Sequence, residues 1–272
     1  MKRVSFQGEH GAYSEAAAVR FFPDDKIETI PCTNFALTLK NTENNTSEYS
    51  VLPIENSLEG SVGESNDLLL ETNLSAIGEI YYRIRHCLIG TGSLEDVDTV
   101  YSHTQALGQC RQFIQEHSLK TVPSYDTAGS VKIIKALNEK NIACIASRSA
   151  AEIFDISVIQ DSIEDNQNNY TRFLVFSKVK NDKTENSKTS IIFSVKHEAG
   201  ALYRIINEFY QYKVNLTKIE SRPNKDTPWQ YNFYVDFEGH QDDSSIKEML
   251  KKLRDNASFV KILGSYPIVV VD

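Results

Sequence analysis

Short apolar runs alternate with helix-forming stretches through the first two thirds of this chain, and that alternation restricts the fold more than any single motif. Residues 3–6 read as a strand, followed by a Gly8/Gly11 loop and a helix starting near Ser14, where Glu15, Ala16, Ala17 and Ala18 favour helix. SVLPIENS (50–57) ends another strand, and TVYSHTQALGQCRQFI (99–114) and NIACIASRSAAEIF (141–154) each pass from strand to helix. In the first of these, Ala106, Cys110, Phe113 and Ile114 fall on one helical face. Strands separated by helices imply an α/β domain with a largely parallel sheet.

The pattern stops at KVKNDKTENSK (178–188), a polar, charged stretch without apolar periodicity that reads as an interdomain linker. Beyond it come strand (189–195), helix (200–212), strand (214–222), strand (230–237), helix (244–255) and strand (260–271). That order is the βαββαβ ferredoxin-like layout.

Composition narrows the classes. The 272 residues, 40% apolar and 24% charged, fit an ordinary globular protein of two domains. A net charge of -8 and a pI near 5.4, with no block of Lys/Arg, argue against nonspecific binding to nucleic acid or an anionic membrane, so an anionic ligand must be held by local groups. Cys32, Cys87, Cys110 and Cys144 are far apart with no CxxC pair, and the six histidines lack zinc-ligand spacing, which together read as a metal-free protein of a reducing, cytoplasmic compartment. No signal peptide or membrane segment is expected.

Four strand-to-loop junctions concentrate polar groups: Glu55-Asn56-Ser57, Ser102-His103-Thr104-Gln105, Asp126-Thr127 and Tyr170-Thr171-Arg172-Phe173. One reading makes them helix caps, since Ser57, Ser102 and Asp126 are capping residue types. The other points them into one cleft, because capping does not explain Asn56, Gln105, Gln109 and Thr171 together. His103 is a proton carrier or a structural group, Glu55 a general acid or a solvated carboxylate, and Arg172 a carboxylate anchor or a structural ion pair, since it faces away from its strand neighbours. In the second domain Gly200-Ala201-Leu202 opens a helix, either as a ligand site near exposed N–H groups or as a tight helix start. Arg222-Pro223 should end strand pairing.

FQGEHGAYSEAAA, LPIENSLEGSV, VYSHTQALGQC, DTAGS, IACIASRSAA and NYTRF, in this order and followed by GALY (200–203) and KIESRP (218–223), resemble the prephenate dehydratase family, which includes the arogenate dehydratases. The resemblance covers nearly the whole chain. It implies a catalytic domain of two lobes like type II periplasmic binding proteins at 1–178 (roughly 1–79 with 162–178, and 80–161), a linker at 179–188, and a regulatory ACT domain at 189–272.

It also implies decarboxylating dehydration of prephenate to phenylpyruvate without a cofactor, with arogenate as the alternative substrate and a noncatalytic amino-acid sensor as the alternative class. Carried over by position, Thr171, Asn56, Ser102 and Gln109 are the catalytic candidates, with Ser57, His103, Gln105, Thr127, Arg172 and Phe173 around the substrate. Gly200, Ala201, Leu202, Glu220, Ser221, Arg222 and Pro223 would form a phenylalanine site at a subunit interface of a homodimer or homotetramer. Thr104, Gly108 and Ser130-Val131 depart from the family's usual residues, which bears on loop rigidity.

Overall fold

Val4, Ser5 and Phe6 are buried at consecutive positions of the first strand, the mark of a strand covered on both faces. The computed structural model describes residues 1–225 and 227–269. In chain order it begins β1 (Lys2–Gln7), α1 (Tyr13–Phe21), β2 (Ile27–Cys32), α2 (Phe35–Glu43), β3 (Tyr49–Asn56), β4 (Gly60–Ser61), α3 (Gly63–Glu71) and β5 (Ser75–Arg83). There follow β6 (Cys87–Gly90), β7 (Thr99–Ser102), α4 (Thr104–Gln109), α5 (Arg111–Glu116), β8 (Lys120–Pro123), α6 (Gly129–Leu137), β9 (Ile142–Ala146), α7 (Arg148–Phe154), β10 (Val158–Gln160) and β11 (Tyr170–Ser177).

These strands form a six-stranded sheet, β2-β1-β3-β11-β5 with β4 on β3, and a five-stranded sheet, β10-β6-β9-β7-β8. The expectation of a largely parallel sheet needs correction. β1 runs parallel to β2 and β3, and β7 to β8 and β9, but β6 is antiparallel to β9 and β10, and β4 to β3. β6 leads to β7 of the same sheet through residues 91–98, with no crossover helix to impose a parallel direction. The helix expected over 104–114 is broken at Cys110, where φ is -118° and ψ 28°, yet Ala106, Cys110 and Ile114 still enter one core with Phe113 packed against it.

The remaining elements are β12 (Ser187–Ser194), α8 (Ala201–Gln211), β13 (Leu216–Pro223), β14 (Tyr231–Glu238), α9 (Ser244–Asn256) and β15 (Phe259–Pro267). They make an antiparallel sheet ordered β13-β14-β12-β15. α8 buries Ala201, Ile205 and Phe209 at four-residue spacing, and α9 buries Ile246, Met249, Leu250 and Leu253. Apart from Ala201, these stripes meet Ile191, Phe193, Val235 and Phe237 in one core. β12 begins at Ser187, inside the segment read as linker, and β15 ends at Pro267; the last residues of the strand expected over 260–271 lie outside the described residues.

The chain divides into one unit of residues 1–65 and 80–173 and a second of 66–79 and 174–272. This differs from the sequence-based ranges, which put 66–79 with the N-terminal lobe. The cause lies in the contacts of that segment: the Tyr234 hydroxyl donates to Asn66 O, Arg222 pairs with Asp67, and Lys188 pairs with the fully buried Glu79 at 2.7 Å.

Within the first unit, Gly11 docks against α7. Its φ is +89°, Ser147 Oγ donates to its carbonyl at 2.6 Å, and an added Cβ would lie 2.5 Å from Ala150 Cα. Gly11→Ala should therefore lose about 1–2 kcal/mol to the left-handed backbone and roughly 1–3 kcal/mol more to overlap with α7. A lowered denaturation midpoint in urea checks this.

Candidate active site

β3 and β4 form a tight hairpin, with Asn56 paired to Gly60 across it. Asn56 Oδ1 accepts hydrogen bonds from the backbone N–H groups of Leu58 and Glu59, both at 3.0 Å, and Gly60 closes the turn at φ +79°. With its oxygen held this way, Asn56 turns its amide nitrogen the other way. Nδ2 donates to Asn169 Oδ1 at 2.7 Å and to Thr171 Oγ1 at 3.0 Å, and lies 3.2 Å from Tyr170 O.

The network continues through Asn169, which is fully buried and donates from Nδ2 to Gln109 Oε1 at 3.0 Å. Gln109 Oε1 also lies 2.9 Å from His86 Nε2, and His86 Nδ1 lies 2.9 Å from Tyr13 Oη. Tyr13 Oη is also 2.7 Å from Arg85 O, and Gln109 Nε2 reaches Glu59 Oε1 at 3.4 Å. Burial lowers the His86 pKa below its ordinary value, outweighing the Gln109 hydrogen bond and the charge of Glu164, while burial raises the Tyr13 pKa well above a normal phenol's. Burial thus favours the neutral form of both groups.

Thr171 is the second residue of β11, on the parity of Phe173, and both line a cavity of about 460 Å³ in the first unit. Of the residues singled out from sequence, Asn56, His103, Gln105, Gln109 and Thr127 also line it. His103 is the N-cap of α4, its Nδ1 accepting from Gln105 N at 3.3 Å. Thr104 occupies the first position of that helix, where a proline would also fit.

Ser57, Ser102 and Arg172 stand apart from the cavity lining. Ser102 is fully buried and its Oγ donates to Ile145 O at 2.7 Å, because Ser102 shares the core-facing parity of Val100. Ser57 Oγ donates to Asn168 O and accepts from Tyr170 N. Arg172 points to the opposite face from Thr171, under the Tyr81 ring at 5.9 Å and 3.9 Å from Glu55. Glu55 keeps 40% of its side chain exposed.

Among the described residues that line the cavity there is no Lys or Arg; the charged ones are Glu64 and Asp126. Asp126 has its pKa raised by burial, against the hydrogen bond it accepts from Gly129 N at 2.7 Å. Three helix starts border the cavity: Tyr13 and Ser14 begin α1, which Ala12 leaves uncapped, whereas Asn34 caps α2 at Leu37 N and Asp126 accepts from Gly129 N at the start of α6. His86, Tyr13 and Asn169 escape the sequence reading because each stands outside the junction pattern.

In the second unit, Gly200 has φ +80° at the N-cap of α8, and Ala201 is buried behind it. Glu220, Ser221, Arg222 and Pro223 end β13, whose last pair is Pro223 with Tyr231. Arg222 is held by Asp67, at 3.2 Å from both Nε and a terminal nitrogen.

Known proteins resemble this arrangement over nearly its whole length. A family model described as prephenate dehydratase matches residues 4–181, and one described as ACT domain matches 189–255. The prephenate dehydratase of Methanocaldococcus jannaschii is 37% identical, covering 98% of each chain. An Arabidopsis thaliana arogenate dehydratase/prephenate dehydratase is 38% identical over 98% of this chain and 73% of its own. The crystal structure of a prephenate dehydratase from Arthrobacter aurescens in complex with L-Phe superposes with a TM-score of 0.89, at 30% identity, covering 99% of this chain and 93% of that one.

A pH effect follows from His86. Its folded-state pKa lies below the unfolded value, so the unfolded chain binds more protons through this group. Its contribution to stability is complete above about pH 6.5 and is lost as pH falls from there towards the lowered value. Between about pH 7.5 and about pH 5.5 the wild type should lose more in Tm than His86→Gln. Equal losses would mean that His86 is not held neutral by burial.

Proposed function

Because the chain belongs to the prephenate dehydratase family, we propose that its cavity converts prephenate to phenylpyruvate by coupled loss of carbon dioxide and water. The observation that carries this reading is that Thr171 lines the cavity while its Oγ1 accepts from Asn56 Nδ2, which leaves the hydroxyl hydrogen to be offered to another acceptor.

Prephenate is a dianion. As the C–C bond to the ring carboxylate breaks, its electron pair enters the ring and the C–O bond to the ring hydroxyl breaks. One proton is taken up to release that oxygen as water, leaving phenylpyruvate monoanion and carbon dioxide. Aromatisation drives the step, and hydroxide is the poor leaving group. Thr171, too weak an acid to surrender its proton outright, stabilises the departing oxygen as an oriented hydrogen-bond donor. The uncapped helix start at Tyr13, with Gln105 and the Gln109 amide, receives the carboxylates in place of a basic side chain.

Thr171→Val should lower kcat by about 100- to 1000-fold, the loss expected on removing one such donor, whereas Thr171→Ser should keep most turnover. Phenylpyruvate absorbance in alkali reads both, and near-normal kcat in Thr171→Val would sink the assignment. The arogenate reading is favoured by Glu64 and Asp126, which suit an ammonium group, and by the arogenate-named relative. Phenylalanine production from arogenate, run in parallel, separates the two substrates.

For regulation, L-phenylalanine binds the ACT domain through Gly200, Ala201 and Leu202 with Glu220, Ser221, Arg222 and Pro223. Support comes from the phenylalanine complex of the similar Arthrobacter protein and from the left-handed opening at Gly200. Arg222 is held by Asp67, so a ligand that recruits Arg222 must break or share that ion pair. Inhibition requires tighter binding to the less active state. Phenylalanine should raise Tm and lower turnover in the wild type, and Gly200→Val should blunt both. A cytoplasmic homo-oligomer completes the reading, consistent with four free cysteines.

A further inference from the structure

We infer that His86 is a positioning residue for the dehydration proposed above: by donating from Nε2 to Gln109 it fixes, through Asn169 and Asn56, the direction in which Thr171 offers its hydroxyl hydrogen. The inference rests on that functional reading and adds a residue that lies outside the recognisable motifs.

The polarity of the network can be worked out from its anchored end. Leu58 N and Glu59 N hold Asn56 Oδ1, which leaves Asn56 Nδ2 facing Asn169 and Thr171. Asn169 must then present its oxygen to Asn56 and its nitrogen to Gln109. Gln109 must present Oε1 to Asn169, and its Nε2 faces the carboxylate of Glu59, an acceptor, as the same orientation requires. An oxygen so placed can meet His86 Nε2 only if that nitrogen carries the hydrogen. Backbone N–H groups at the β3–β4 turn thus dictate the tautomer of a distant histidine.

The converse gives His86 its role. Gln109 is a long side chain with an exposed neighbour in Glu59, and Asn169 alone leaves its amide free to rotate. The Nε2–H bond closes the other end. The opposite ring nitrogen lies 2.9 Å from Tyr13 Oη, whose single hydrogen also has Arg85 O as an acceptor at 2.7 Å, and the ring stands edge-on to Tyr13 with centroids 5.6 Å apart, which holds its plane. The amide links carry orientation and not protons, because side-chain amides do not exchange a proton along such a chain at neutral pH. His86 therefore acts on the geometry of the Thr171 donor, and proton transfer to the leaving oxygen does not pass through it. Burial also disfavours the charged ring.

Three variants separate this role from packing. Gln can place an amide N–H near the site of Nε2, Asn places one nearer Nδ1, and Leu supplies neither. His86→Leu and His86→Asn should lose about 10- to 100-fold in kcat, the scale of a small displacement of a reacting group, with KM changed by less than about threefold, and His86→Gln should recover most of the loss. Unaltered kcat in His86→Leu, or equal loss in all three variants, would overturn the role of His86 while leaving the dehydratase reading intact. Wild-type protein inactive on both prephenate and arogenate would overturn the functional reading and the kinetic role with it. A readout independent of activity and of the variants' folding is the nitrogen-15 spectrum of the wild-type imidazole. Hydrogen on Nε2 is expected, and hydrogen on Nδ1 or a charged ring would refute the proposal.

Discussion

The two backbone N–H groups that grip Asn56 Oδ1 are the constraint from which the active-site order follows. A side-chain amide is nearly symmetric in shape, so its orientation is decided by what its ends can bond. Here the hairpin turn decides it, and the decision passes to Asn169, Gln109 and His86 on one side and to Thr171 on the other. A threonine hydroxyl that already accepts one hydrogen bond can only offer its own hydrogen elsewhere. In the proposed reaction the cavity is where that hydrogen is used.

The cavity's electrostatics fit this neutral machinery. A guanidinium beside a dianion would bind it well before and after reaction, without favouring loss of one carboxylate as carbon dioxide. Helix starts and amide donors hold charge more weakly and in fixed directions. Arg172, the one cation next to Thr171 in the chain, is turned to the opposite face by the pleat of β11, where it meets Tyr81 and Glu55.

Much of this is legible in the amino-acid order alone. The succession of elements, the βαββαβ layout and the polar junctions rest on local pattern, and local pattern survives folding. Strand parity also argues against Ser102, which shares its face with the apolar Val100, and sets Arg172 opposite Thr171. The mixed direction of the five-stranded sheet is not legible, because β6 connects to β7 without a helix and nothing in its four residues specifies which way it runs. The tie of 66–79 to the C-terminal half is likewise hidden, since Asp67 and Glu79 read as ordinary surface carboxylates until Arg222 and Lys188 are seen beside them.

Sequence by itself therefore determined the elements, their order, and Asn56 and Thr171 as chemically suited residues, because propensity, turn chemistry and side-chain type are properties of short segments. Only the tertiary structure decided that Asn56 meets Asn169 across 113 residues and that Asn169 meets Gln109 across 60, and with them His86. Those contacts depend on sheet register and on how two sheets present their ends to one cavity, to within the few tenths of an ångström that separate a hydrogen bond from none.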